Sequence, residues 1–492
     1  MQYFSTRNKS VRISSAQAIV RGLAQDGGLY VPESIPVVTD DELKGLCINS
    51  YRERAVLVMS KYLEDFSIDE LRGFAEKAYG SNYDDANCAA PLKIYDSNTA
   101  FLELWHGPTC AFKDMALQML PHLLTSSIKK CGEEREVCIL VATSGDTGKA
   151  ALDGFADVPG TRIIVFYPQN GVSEIQKLQM VTQAGENVMV SGIEGNFDDA
   201  QTGVKNIFND AEFAVELTKR GYMLSSANSM NWGRLLPQIV YYVSAYCDAV
   251  NGGLVKMGEK LNFCVPTGNF GNILAGWFAR QMGVPVGRLI CASNENNILT
   301  DFIKSGVYDR NRDFFTTISP SMDILVSSNL ERLIYLTCGN DDLAASYMSQ
   351  LAESGKYTVS SEIKERIDSD LFGGYCDDEQ TKAEIRRIFD ESGYLIDTHT
   401  AVASKVLTEY RAETGDNSPC AIVSTASPYK FAVDVLSALG EAAEGSAALQ
   451  RLNAVSKTKI PNPLEGITDK KVRFNKCIEK SAMKEFVANY LR

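Results

Sequence analysis

Several shortages narrow what this 492-residue chain can be. It has three histidines, His106, His122 and His399, and its 12 cysteines are scattered, with no CxxC and with Cys131 and Cys138 as the nearest pair. Clustered imidazole and thiolate ligands are what a zinc site requires, so no bound metal is expected. Basic runs are also missing, and the net charge is -13. Nucleic-acid binding needs an electropositive footprint that displaces counterions from phosphates, so small molecules are the expected partners. No stretch approaches the roughly 20 apolar residues of a membrane span, which argues against a membrane partner. The opening MQYFSTRNKSVRISS has no apolar core of a secretory leader. A reducing, cytoplasmic setting follows as the expectation, with the cysteines kept as thiols. Internal repeats and low-complexity tracts are absent as well.

What is present is the mixture of an ordinary globular protein, long enough to bury at least two cores. Within SSAQAIVRGLAQDGG, residues from Ser14 to about Gly27 read as a short capped helix, followed by the extended segment LYVPESIP. Two charged amphipathic stretches then reach about Tyr79, so residues 1–90 are expected to form a mostly helical N-terminal domain. From Pro91 apolar strand-like runs alternate with helical ones: EVCILVATS, TRIIVFYP, ENVMVSG, YMLSSAN, KLNFCVPTGN, GRLICASN and PCAIVSTA. Runs such as VCILVA are apolar on both faces, as strands covered by helices on two sides must be. The alternation predicts an α/β fold with parallel sheets. Residues 309–392 are polar, charged and helical without a convincing buried strand, and read as a solvated helical insertion.

Four segments carry possible chemistry. In GPTCAFKDMALQMLPHLL, Lys113 follows a turn of small residues and opens an amphipathic helix. A partly desolvated amine there could hold an aldehyde as a Schiff base, although a lysine near a helix start is ordinarily a surface residue. ATSGDTGKAA, at 142–151, joins an apolar strand to a helix whose N-terminal N–H groups and hydroxyls could bind an acidic group. It is not a nucleotide-binding P-loop, because Thr143 stands in place of the first glycine and Ala150 in place of the metal-binding hydroxyl. VPTGNFGNILAGWFA is another strand-to-helix turn, where Gly268 and Gly271 permit close approach of a phosphate and Asn269 and Asn272 add amide donors. STASPYKF, at 424–431, ends the last apolar strand with hydroxyls at the edge where α/β proteins bind ligands, although taken alone Thr425 reads more readily as the cap of the next helix. Together they supply one amine and two anion pockets, the set that a cofactor with an aldehyde and a phosphate would use.

Taken in order, GLAQDGGLYVPE, FLELWHGPTCAFKD, ATSGDTG, NSMNWGRLLPQ, PTGNFGNILAG, SPSMDILVSSNLERL, DTHTAV and STASPYKF resemble the threonine synthase family, bacterial and fungal type, from about residue 3 to 435. The resemblance implies a fold-type II pyridoxal-phosphate enzyme of the tryptophan-synthase-β-like kind. Two parallel or mixed sheets would be flanked by helices, beside the helical N-terminal domain and the insertion. Residues 91–132 and 255–492 would form the large cofactor-binding domain, and 133–254 a small mobile one. The implied reaction converts O-phospho-L-homoserine and water to L-threonine and phosphate, in a protein that the nearest branch of the family suggests is a monomer.

Residue by residue, the resemblance makes Lys113 the Schiff-base lysine of pyridoxal 5'-phosphate. Gly268, Asn269, Phe270, Gly271 and Asn272 would hold the cofactor phosphate, Asp146 the ring region, and Thr425 the pyridine nitrogen. Thr109, Ser144 and Thr147 would line the substrate, while Ser229, Asn231 and Arg234 would meet its phosphate. A guanidinium suits that task because it grips phosphate bidentately. The chain departs from the family at Ser427, Pro428 and Tyr429, where histidine and then alanine usually flank the proline, and at Thr398, where a proline usually precedes the histidine. Two rivals stand beside this reading: a related lyase that removes phosphate from a phospho-amino acid and leaves a keto acid, and a non-catalytic binding protein.

Overall fold

A computed structural model describes residues 1–85, 87–143, 145–169 and 172–492, apart from the side chain of Asp198. The chain begins with β1 (Tyr3–Ser5) and β2 (Asn8–Ile13), and β3 (Tyr30–Pro32) joins the other edge of β1 to complete an antiparallel sheet. Helices at Ser15–Arg21, Asp40–Ile48, Tyr51–Ser60 and Ile68–Ala78 accompany it. Each starts with a reciprocal capping box, Ser14 with Gln17, Thr39 with Glu42, Ser50 with Glu53 and Ser67 with Glu70. Such a cap is worth about 1 kcal/mol, which matters for helices this short. The sequence showed only the last of these strands, because β2 exposes most of its residues and carries no buried alternation.

β4 (Leu92–Ile94) and β5 (Thr99–Glu103) open the central sheet. The chain then builds a second sheet from β6 (Glu136–Ala142), β7 (Thr161–Pro168), β8 (Val188–Glu194) and β9 (Tyr222–Ser225), and returns with β10 (Leu261–Pro266) and β11 (Val286–Ser293). A short antiparallel pair, β12 (Val307–Asp309) with β13 (Lys356–Thr358), stands apart from the larger sheets. β14 (Leu371–Tyr375) and β15 (Cys420–Ser424) complete the six-stranded order β14-β11-β10-β15-β5-β4, parallel except at β4. β16 (Cys477–Glu479) pairs with β8 and makes the second sheet β16-β8-β7-β6-β9, parallel throughout.

All seven apolar runs are strands of these two sheets, and β15 is buried along its whole length. Three features differ from the sequence expectation. The segment 309–392 is not purely helical, since it carries β13 and contributes β14 to the six-stranded sheet. The end of the chain does not stay with the large unit: after β16, the helix Met483–Tyr490 buries Met483 and Val487 among Cys138, Leu140, Ile164 and Phe166 of the second sheet. The helix Trp232–Asn251, expected with the small domain, packs through the Trp232 indole at 5.5 Å against Tyr3 and Tyr62 of the N-terminal segment and Phe278 of the segment after 254. Among the described residues no helix is long and apolar enough to cross a membrane. No group of His, Cys, Asp and Glu side chains among them could hold a metal ion.

Candidate active site

Lys113 lies just past a tight loop that leaves β5. The buried Asp114 holds this loop by accepting the Thr109 N–H at 2.8 Å and the Thr109 hydroxyl at 2.6 Å. Cys110 takes a left-handed φ of 58°, a conformation that costs a residue with a Cβ. Backbone bonds tie the loop to the chain after β15: the Phe112 N–H donates to Thr425 O at 2.8 Å, and the Ser427 N–H donates to Cys110 O at 3.0 Å. The AFK and STAS segments thus run side by side. Lys113 is half-buried with its Nζ 3.3 Å from the Ser321 hydroxyl. Burial pulls its pKa down to about 8; Asp146 opposes this, while Arg234 and Lys430 add to it. An amine partly unprotonated near neutral pH is a competent nucleophile for an aldehyde.

The turn between β10 and the helix Gly271–Gln281 reaches the same place. Phe270 has a left-handed φ of 63°, and a Cβ on Gly268 would stand 2.5 Å from Ser321 O, so Ser321 touches both this turn and Lys113. Only glycine permits that approach. The Asn269 carbonyl accepts the Asn329 side-chain amide at 3.0 Å. Asn272 accepts the Tyr241 and Tyr242 hydroxyls at 2.7 and 2.8 Å through Oδ1, while its buried Nδ2 has no protein partner among the described residues. That orphan donor, together with the free N–H groups of a helix start, is what a phosphate would satisfy.

ATSGDTG joins β6 to the helix Asp146–Phe155. Asp146 is buried; burial pushes its pKa up, but Lys430 and Lys113 outweigh this and hold it below the ordinary carboxylate range. Gln176 donates to its Oδ1 at 2.9 Å. Thr143, which the sequence reading left without a role, accepts the N–H groups of Gly145 and Gly148 at 3.0 and 2.9 Å and shapes the turn. Thr147 is half-buried in the first helical turn, and Ser144 lies outside the described residues.

In NSMNWGR, Trp232 anchors the start of the helix that carries Arg234. Arg234 is buried, donates to Ala227 O at 2.6 Å and has no ion-pair partner among the described residues. Burial brings its pKa down to about 10. Ser229 is near, with its Cβ 3.8 Å from where a Cβ on Gly271 would stand.

Two expected substrate contacts are spent elsewhere. Asn231 caps its helix by accepting the Gly233 N–H at 2.8 Å and donates to Ile19 O at 2.9 Å, tying the helix to the N-terminal domain. The side chain of Thr109 is fully buried against Asp114. Both side chains already have these partners within the protein.

Behind Lys113 lies a polar layer that the sequence did not announce. His399 donates from Nδ1 to Asp397 at 3.0 Å, which leaves Nε2 to accept the Ser321 N–H at 3.2 Å. Thr400 and Trp105 both donate to the Ser424 hydroxyl at 3.1 Å. The substitution at Thr398 is mild, because it fills the first position of the helix Thr398–Thr414, where proline also fits. Tyr429 is buried, and its hydroxyl donates to Thr458 O at 2.6 Å, fastening the last motif to the C-terminal region. Arg332, fully buried within SSNLERL, donates from Nε to Tyr30 O at 3.0 Å and from Nη2 to Met230 O, joining β3 to the NSMNWGR turn.

Three family models match in succession: the threonine synthase N terminus over residues 2–79, the pyridoxal-phosphate dependent enzymes over 99–426, and the threonine synthase C-terminal region over 400–487. Threonine synthase from Pseudomonas aeruginosa is 40% identical over 437 residues, covering 88% of this chain and 89% of that protein. The chain belongs to the threonine synthase family of pyridoxal-phosphate dependent enzymes. The crystal structure of PLP-bound threonine synthase from Brucella melitensis superposes with a TM-score of 0.89 at 35% identity, covering all of both chains. Human threonine synthase-like 1 is 42% identical over 436 residues, 86% of this chain, and the chain spans 58% of that protein's length.

The residues fit the family's cofactor. Lys113 could supply the amine, the turn at 268–272 an orphan donor and a helix N-terminus for a phosphate, and Thr425 follows β15 beside the Lys113 loop.

Proposed function

We propose that the chain is a threonine synthase acting on O-phospho-L-homoserine and water to give L-threonine and phosphate. The observation that carries this reading is Arg234, a buried guanidinium without a carboxylate partner among the described residues, close enough to Lys113 to lower its pKa and in the same motif as Ser229, which lies near Gly271. A buried cation left unpaired is costly, and an anionic substrate group resolves the cost. Because the turn at 268–272 is the place for the cofactor phosphate, Arg234 and Ser229 are left for a second anion, the phosphate of the substrate.

Pyridoxal phosphate supplies an electron sink for charge that develops on the substrate carbon skeleton. The chain's own residues do the rest. Lys113, with its lowered pKa, takes and returns protons at the substrate carbons. Arg234 and Ser229 hold the phosphate until it leaves as inorganic phosphate, and water adds at the neighbouring carbon. The turns at 143–147 and 268–272 fix the two ends of the site, with Asp146 and Thr147 on one side and Gly268, Asn269, Phe270, Gly271 and Asn272 on the other. Thr425 would be the residue that holds the pyridine ring through its hydroxyl. Closure of the second sheet over the substrate would keep water away from the intermediates.

The same reading makes the chain a cytoplasmic monomer whose partner is a small molecule. Its 12 free thiols support a reducing compartment, and gel filtration tests the monomer. A second reading rests on the same observation, since Arg234 calls for an anionic substrate and not for one outcome: a lyase on the same site that releases phosphate, ammonia and a keto acid. Product analysis with O-phosphohomoserine separates the two. Threonine and phosphate in equal amounts, lost in Lys113→Ala, establish the first reading; keto acid and ammonia establish the second.

A further inference from the structure

Lys430 has no solvent exposure. A buried ammonium is strongly disfavoured unless an anion faces it, so its neighbours explain its presence. Its Nζ lies 2.7 Å from Asp146 Oδ1 and donates to Thr109 O at 2.9 Å. The three residues come from three places in the fold. Asp146 opens the helix after β6, in the five-stranded sheet. Thr109 sits in the loop after β5, four residues before Lys113, and Lys430 follows β15, both in the six-stranded sheet. The helix Glu174–Val181 braces the contact from the second sheet, through Gln176 to Asp146 at 2.9 Å and Gln179 to Thr109 O at 3.4 Å.

We propose that Lys430 is a positioning residue: its ammonium clasps the Asp146 carboxylate of one sheet to the Thr109 carbonyl of the other, and so sets the ATSGDTG turn against the segment that carries Lys113. The inference rests on the reading that Lys113 holds the cofactor. Because the clasp is an ion pair rather than a neutral contact, it also acts on the charge of the site. The charged and titratable groups that face Lys113 are Asp146, Arg234, Lys430 and Asp114. Lys430 opposes protonation of Lys113, and Asp146 favours it.

The test uses the holoenzyme and three variants, Lys430→Met, Asp146→Asn and the double variant. Three properties are followed: the pH midpoint of the visible band of lysine-bound cofactor, the dissociation constant of pyridoxal phosphate, and the melting temperature. Loss of Lys430 alone leaves the Asp146 charge unopposed, so the midpoint moves up by about one unit. Asp146→Asn moves it down. The double variant removes both buried charges, so it recovers much of the melting temperature while its cofactor affinity stays at least tenfold below the parent. This variant keeps the test open should Lys430→Met fail to fold. A double variant with parental cofactor affinity, or a folded Lys430→Met with the parental midpoint, overturns the proposal and leaves Lys430 a packing residue. A parent protein that binds pyridoxal phosphate without a visible band overturns the reading of Lys113 instead.

Discussion

In the proposed function the turn at 267–272 and the start of the helix Trp232–Asn251 each hold an anion near Lys113, and they are made of opposite materials. The first is backbone: a left-handed Phe270, two glycines, a helix N-terminus and one orphan amide, with no charged side chain in the turn. The second rests on one side chain, a buried guanidinium held by Trp232 packing and the Ala227 carbonyl. A backbone cradle is fixed by the fold and loses little order on binding, which suits a resident cofactor. A buried, unpaired charge binds strongly but is easily repaid by any anion that arrives, which suits a ligand that must enter and leave as phosphate.

Three substitutions sharpen this contrast. Arg234→Met is expected to have the largest effect, a loss of about 3 kcal/mol in kcat/KM, on the order of a hundredfold, while cofactor affinity stays near the parent. Steady-state kinetics beside a cofactor titration reads both, and equal losses in the two would merge the sites that the account separates. Gly268→Ala is expected to do the reverse. The added Cβ meets Ser321 O at 2.5 Å, so cofactor binding weakens by about 2 kcal/mol, roughly thirtyfold. Ser321→Ala is expected to be the mildest, about 1 kcal/mol, seen as several-fold slower loading of the apoenzyme.

The pH dependence of loading separates the two sites again. Only the unprotonated amine attacks the aldehyde, so the loading rate should rise with pH through about 8, where an ordinary lysine would still be climbing towards 10.5. Arg234 is one of the charges that lower the Lys113 pKa, so Arg234→Met should move this midpoint upward. Gly268→Ala should leave it in place. Stopped-flow absorbance across pH 6 to 10 checks all three expectations.

What could be read beforehand followed from the physics of each element. Strands covered on both faces write continuous apolar runs, so β6, β7, β8, β10, β11 and β15 were visible, and the turns between them carried the glycines and hydroxyls of the site. β14 stayed hidden because its LFGGY holds two glycines where apolar residues would stand. A Cβ on Gly373 would meet Thr300 Cα at 3.0 Å, and one on Gly374 would meet Val406 at 2.7 Å, so close helix packing had removed the usual signal. β16 is three residues long and partly exposed, too little to read. Asn231 and Thr109 were expected at the substrate through the family resemblance, while their partners within the protein, Ile19 and Asp114, emerge only from the fold. Lys430 was in plain view within STASPYKF, but that segment was read for its hydroxyls; the lysine itself, set between apolar neighbours, was the unused signal.

The most direct test of the central claim is borohydride reduction of the holoenzyme followed by peptide mass mapping. The account expects one reduced pyridoxyl group, on the peptide that contains Lys113. The adduct on Lys430, Lys149 or any other lysine, or no adduct despite bound cofactor, would contradict it.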